Sequence, residues 1–263
     1  MTNIVPVHFT YVTAVTSSGK NNPSFQTLNN IVNGTLKTAM GSGKDSAAKL
    51  RIDSAIGLNE FYSDRNGTEE LVSVRRNEGG FIHLADVLST KEELRNTFKC
   101  DMLITNVRRI EANEERNEPE KMIVKGATFD FRKSLLPIEL TVLNPAAMDY
   151  FESLEISNTN PTFTCVWGQQ ISQTIVKTVT EASAFGEPSI REVKSSRKDF
   201  VITGANVDPY VWDDEDTLTA ADLQNMMAER ETHLADIKKR QDEYKASKQT
   251  AAVATPNKGG FNF

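Results

Sequence analysis

The sequence predicts a mostly β protein with some α: a five-stranded barrel with a long N-terminal extension before it and a C-terminal helix after it. Three observations carry that prediction. Between residues 97 and 207, apolar runs of strand length and one helical run follow the order strand, strand, strand, helix, strand, strand. The helix in that order has a clear start: Asn144 can cap, and Pro145 suits the first helical position, where its missing N–H is no loss. Beyond Pro209 the composition shifts to a charged run, "WDDEDT", and a long helical stretch, "LTAADLQNMMAERETHLADIKKRQDEYKASK".

In chain order, residues 3–15 alternate, with Val7, Phe9, Tyr11, Thr13 and Val15 on one face, and predict a strand. Residues 16–49 are polar and rich in Gly, Ser, Asn and Lys; they read as a long loop or flexible insertion, with "IVNGTLKTAM" as a short strand. Within 50–88 only "ELVSVRR" reads clearly as a strand. "STKEELRN" reads as a helix start, with Ser89 and Glu92 spaced as a capping box. The barrel strands then fall at 97–112, 122–131, 135–143, 161–172 and 198–207, with a charged loop at 113–121. Leu136, Ile138, Leu140 and Val142 share one face of the third. The helix after it places Ala147, Met148, Phe151 and Leu154 at helical spacing. "TIVKTVTEAS" is ambiguous between helix and strand. In the C-terminal helix Thr219 and Asp222 resemble a capping box, and the apolar stripe is Leu223, Met227, Leu234, Ile237 and Tyr244, interrupted by Arg230. The chain therefore divides into a β-rich body at 1–212 with its core at 97–207, an acidic link and amphipathic helix at 213–247, and a flexible tail at 248–263 that ends in aromatics.

Five strands with a helix between the third and fourth is the layout of an OB-type barrel, although other small α+β domains share it. OB barrels bind nucleic acid on the face of strands two and three, with aromatics for stacking and cations for phosphates. Even spacing sets Lys125, Phe129 and Phe131 on one face, followed by Arg132 and Lys133. Outward, that face is a stacking platform; inward, the two rings are core. Further cations fall at strand ends and in connections: Arg75–Arg76, Arg108–Arg109, and Arg191, Lys194, Arg197 and Lys198. Charge clusters of this kind are also ordinary solvated faces. Trp167 adds a stacking group or a core residue, and Trp212 a docking anchor. The net charge is −6, and residues 213–263 hold ten acids and seven bases against 26 and 23 in the remainder, so neither part is basic in bulk. Bulk charge thus argues against coating nucleic acid by field alone and leaves local patches.

"GSGK" at 41–44 fails the phosphate-loop pattern, because Thr38 stands where Gly is needed and Asp45 follows the lysine. His8, His83 and His233 have no metal-ligand spacing, and the acids at 213–216 fit the positive end of a helix. No nucleophile or base motif is present, so the expectation is a binding protein with no cofactor and no metal, not an enzyme. Cys100 and Cys165 are expected reduced and buried, and Asn33 and Asn66, each in "NGT", to mark turns. No apolar run is long enough for a membrane span, and the first residues lack the basic and apolar regions of a leader.

"MIVKGATFDF", "NPAAMDYFESLE", "FTCVWGQQIS" and "RKDFVITGANVDPY", followed by an acidic link, a helix and an aromatic end, resemble a phage-type single-stranded-DNA-binding protein. The resemblance implies a role in phage DNA replication or recombination in the cytoplasm of the infected host. It implies single-stranded DNA as partner, with self-association allowed and no membrane. Its DNA-binding set here is Arg108, Arg109, Lys125, Phe129, Phe131, Arg132, Lys133, Trp167, Lys194, Arg197 and Lys198. It also implies a tail whose last Phe recruits replication proteins, a position Phe263 fills with Phe261 close by. The family's tail is acidic to its end, whereas "TPNKGGFNF" carries Lys258 and no acid. A structural phage protein of tail or capsid is the competing expectation. Two rings in a polar tail bind by burial, each contributing on the order of 1.5–3 kcal/mol. Deleting residues 261–263 should leave the melting temperature unchanged and abolish capture of a purified replication partner; a clear fall in melting temperature would mean that the rings dock on the body.

Overall fold

The computed structural model describes residues 3–65, 67–85, 91–113, 118–156, 161–181, 189–213 and 217–253, with backbone alone at 65, 92, 173–181, 189, 191–197 and 249–253. In chain order the elements are β1 (Val7–His8), α1 (Pro23–Val32), α2 (Ala39–Ser42), β2 (Lys49–Arg65), β3 (Thr68–Ala85), β4 (Thr97–Ile110), β5 (Lys121–Phe129), β6 (Leu135–Val142), α3 (Pro145–Ser153), β7 (Thr162–Glu181), β8 (Ser189–Ala205) and α4 (Ala220–Val253). The last five strands close into a barrel in the order β4–β5–β6–β8–β7, with β7 pairing back onto β4. The helix α3 lies between the third and fourth of them, so the expected five-stranded barrel, with its helix after the third strand, is the observed one.

Alternation builds this core. Met122, Val124 and Thr128 of β5 and Ile138, Leu140 and Val142 of β6 point inward and are buried, while Ile123, Lys125 and Glu139 lie on the outside. Asn144 caps α3 as expected, its Oδ1 accepting from the Ala146 N–H at 2.9 Å, and the helix lays Met148 and Phe151 into the barrel core. At the other end of β4, Phe98 meets Phe200 edge-on at 5.2 Å. The interior is thus packed with side chains.

The N-terminal region is not an extended strand and loop. Val7–His8 pair in parallel with Asn77 and Glu78 of β3, and Val15 forms an isolated antiparallel bridge with Asn21. Residues 23–32 form α1, capped by Asn22 and started by Pro23, which docks through Ser24 Oγ accepting from the Ile82 N–H at 3.1 Å. β2 and β3 form a long hairpin, closed at Gly67, whose φ of 81° is open to glycine without strain. Instead of the helix expected from Ser89, the described residues there hold only a 3-10 turn at Glu92–Leu94. The ambiguous "TIVKTVTEAS" continues β7, which leaves the barrel with β8 as a two-stranded ribbon. Both cysteines are free: Cys165 is buried, and Cys100 is half-buried with its thiol pushed up to about 11, chiefly by burial.

Helix α4 begins on the expected Thr219–Asp222 box: the Asp222 N–H donates to Thr219 Oγ1 at 3.1 Å, and Asp222 Oδ2 accepts from the Thr219 N–H at 3.2 Å. It runs to Val253, past the expected boundary at 247; residues 254–263, with Phe261 and Phe263, lie outside the described residues. Its inward face is Leu223, Met226, Arg230, Leu234, Ile237, Gln241 and Lys245, spaced three and four apart; Met227 and Tyr244, expected in the stripe, are exposed. No helix among the described residues is long and apolar enough to cross a membrane.

Arg230 is an anchor, not an interruption. It pairs with Glu60 of β2 at 2.6 Å, with the two side chains 15% and 4% exposed, and also donates to the Leu135 carbonyl of β6 at 3.2 Å. Burial pushes the Glu60 carboxyl up, but hydrogen bonds from Arg230 and Ser73 and the Arg230 charge outweigh it and hold the group below its ordinary value. A depressed carboxyl contributes stability above its unfolded pKa, about 4.3, which is lost as pH falls through the lower folded value. Removing one partner strands the other charge in the interior, which costs about 3–5 kcal/mol. Urea unfolding of Arg230→Ala at pH 7 should show a loss of that order, and Glu60→Gln should flatten the acid limb of wild-type stability below about pH 4.

Candidate nucleic-acid interface

The residues expected on strand two part company. Phe129 faces outward, as even spacing requires, but is covered: it packs edge-on against Phe163 at 6.0 Å, and Phe163 lies against Tyr210 at 4.7 Å and Trp212 at 6.2 Å. With Leu103, Leu135, Leu223 and Met226 these form a second core between the barrel wall and the C-terminal segment. Trp212 is the expected anchor, its Nε1 donating to the Pro161 carbonyl at 3.3 Å. Phe131 lies beyond the strand end, on the turn into β6, and is 85% exposed with the Arg132 guanidinium 5.1 Å from its ring centre. Lys133, on the same turn, is exposed at a φ of 64°. Lys125 pairs with Glu139 at 2.6 Å.

The Arg108–Arg109 doublet also divides. Arg109 donates to Glu120 and Glu152 and sits 3.7 Å from Asp149, which holds its guanidinium above the ordinary value, chiefly through the Glu120 hydrogen bond. Arg108 is exposed and forms no ion pair among the described residues. Lys194 and Arg197 lie on the backbone of the ribbon, opposite Val176 and Gln173; their side chains are outside the description. Lys198 is exposed.

Trp167 has the geometry that a stacking contact needs. It points out of the barrel from β7, between Lys99 on β4 and Gly204 on β8. A Cβ at Gly204 would sit 2.4 Å from the indole Nε1, 2.5 Å from Cε2 and 2.7 Å from Cζ2, so the N–H edge of the ring lies against the strand at that position. The ring is 39% exposed, and Lys99 beside it is exposed with no ion pair among the described residues. Lys99 is absent from the sequence-based set because only the β4–β7 register brings it to Trp167. No group of His, Cys, Asp or Glu among the described residues could hold a metal ion.

Fold and surface together define a β-barrel protein with an appended hairpin and a docked C-terminal helix. The chain belongs to the YorF family, whose family model, described by that name alone, matches residues 3–240, from the first strand into α4. No curated protein and no solved structure matches it.

Gly204 should be required for the pose of Trp167. In a Trp212→Phe background, Gly204→Val should lift the indole, red-shift its emission and raise its quenching by acrylamide. An unchanged spectrum in a folded variant would show that the ring does not rest on β8.

Proposed function

We propose that the protein binds single-stranded DNA, stacking bases on Trp167 and setting phosphates on nearby cations, and makes or breaks no bond. The observation that carries this reading is the half-exposed indole held against Gly204, with Lys99, outside any ion pair among the described residues, beside it. Every base has a π-face, so an aromatic platform beside a cation suits a strand of any sequence. Three further cations outside ion pairs among the described residues, Arg108, Arg132 and Lys133, are exposed on the barrel's surface to follow a backbone. A place in phage DNA replication or recombination follows from the sequence resemblance.

A second reading, a structural component of tail or capsid, has its own support. Phe61 and Val72 pair on the hairpin face that also carries Val74, and Phe61 and Val74 are 39% and 47% exposed. An apolar strand face of this kind suits self-assembly. Sedimentation over a range of concentrations tests it: growth into large assemblies without DNA would favour this second reading.

For the DNA reading, a (dT)15 oligonucleotide should quench Trp167 emission in Trp212→Phe protein. Trp167→Ala should weaken binding about 5- to 150-fold, the equivalent of about 1–3 kcal/mol for one stacked base. Affinity should fall linearly on a log scale with salt, by roughly 0.7 per phosphate contact. Absence of both quenching and a band shift at low salt would remove the proposal.

A further inference from the structure

A groove of about 400 Å³ lies where the β3 strand of the hairpin passes the β7–β8 ribbon. Its volume is in the range of small-molecule sites. We infer that it binds one phosphate-bearing nucleotide unit, which deepens the single-stranded-DNA reading and rests on it for the source of that unit.

Three cations from two separate elements line the groove: Arg75 and Arg76, which leave β3 on opposite faces, and Lys198 of β8. No Asp or Glu lines it among the described residues, in a chain with 36 acids and 30 bases. Arg76 gives Nε and Nη2 to Glu78, which leaves Nη1. Lys198 forms no ion pair among the described residues. Arg75 is held in place by the Glu139 carbonyl at 2.7 Å, with its guanidinium 4.1 Å from the centre of the Phe200 ring. Burial pulls it below its ordinary value while Asp199 and Glu139 pull the other way, and an arginine stays charged throughout. A dianion or diester among these three gains charge-assisted hydrogen bonds in a partly dry setting.

The rest of the wall suits a sugar and base better than a bare anion. Pro6 and Val74 supply apolar surface. The Asn59 amide has no hydrogen bond among the described residues, and Gln170, which accepts from Asn77 at 2.9 Å, keeps its NH₂ group to donate. Amides with unused donors and acceptors read the edges of bases. Gln170 is three residues from Trp167 along β7, about 10 Å, and points to the opposite face of the strand, so the groove is a site separate from the stacking platform.

The full chain is titrated by NMR and by fluorescence with thymidine 5′-monophosphate, inorganic phosphate and (dT)15. The Arg76→Ala/Lys198→Ala double variant should lose tenfold or more in affinity for the nucleotide and flatten the oligonucleotide salt slope by roughly 1.4, for two contacts. The single change Lys198→Glu, at an exposed position, should act in the same direction and guards against misfolding of the double variant. Oligonucleotide binding with an unchanged slope in folded variants would overturn the groove and leave Trp167 standing. Nucleotide binding that the variants lose, with no oligonucleotide binding by wild type, would keep the groove and remove the DNA reading. Inorganic phosphate bound as tightly as the nucleotide would overturn the assignment to a nucleotide.

Discussion

An open strand edge governs this molecule. β8 pairs with β6 only at Thr141 and Val142, so residues 135–140 turn one side of their backbone away from any ladder. Positions two apart point their backbone groups the same way, so the carbonyls of Leu135 and Glu139 share that side. Each is met by an arginine: Arg230 from α4 at 3.2 Å and Arg75 from β3 at 2.7 Å. Pro137, between them, has no N–H to leave unmet there. Unpaired edges invite pairing with other chains. Here the hairpin and the helix close the edge with charged donors, and the two arginines fix where both elements sit on the barrel. The helix then serves the hairpin in turn. Gln241 bonds both the N–H and the carbonyl of Tyr62 on the outer strand β2, and Lys245 reaches Asp64 and Glu69 near the hairpin tip.

Closing that edge decides which surface is left for a ligand. The chain segment that leads to α4 crosses the barrel wall and covers Phe129 and Phe163 with Tyr210 and Trp212. Tyr210 donates to Asp101 at 3.0 Å, and burial first, then Asp101, pushes its hydroxyl up to about 12, so it remains a donor at neutral pH. The aromatic wall of β5 and β7 therefore holds the C-terminal segment. What stays open is the β4–β7–β8 side with Trp167, and the groove between the hairpin and the ribbon.

The barrel was legible in the sequence because its signals are local. Strict alternation marks β6, and Asn144–Pro145 marks α3 within two residues. The N-terminal half was not legible for equally physical reasons. The α1 run "PSFQTLNNIV" carries a cap and a proline but is polar, and it is held by Ser24 bonding β3, a contact no local pattern encodes. β2 is broken up by Gly57 and acids, and it holds as a strand because β3 and α4 flank it. Arg230 broke the expected stripe because its partner, Glu60, lies 170 residues away. For the site, Trp167 and Lys198 were visible as residue types, whereas Lys99 and the joining of Arg75 and Arg76 with Lys198 depend on strand register and on docking.

The charges are sorted in a way that the net value hides. Acids are drawn into pairs: Glu60 with Arg230, Glu69 with Lys238 and Lys245, Glu120 with Arg109, Glu139 with Lys125. Lys99, Arg108, Arg132, Lys133 and Lys198 are exposed and outside any ion pair among the described residues. A net charge of −6 repels a polyanion at long range, but that repulsion is screened beyond about 8 Å at physiological salt. In the proposed complex a strand would be held by short-range contacts with those cations and not steered in by the field. Salt then acts on two opposed effects, weakening the phosphate contacts while relieving the bulk repulsion. For the proposed complex the expected salt slope is thus shallower than the number of phosphates touched would give, and contacts are better counted by removing cations one at a time than by the wild-type slope alone.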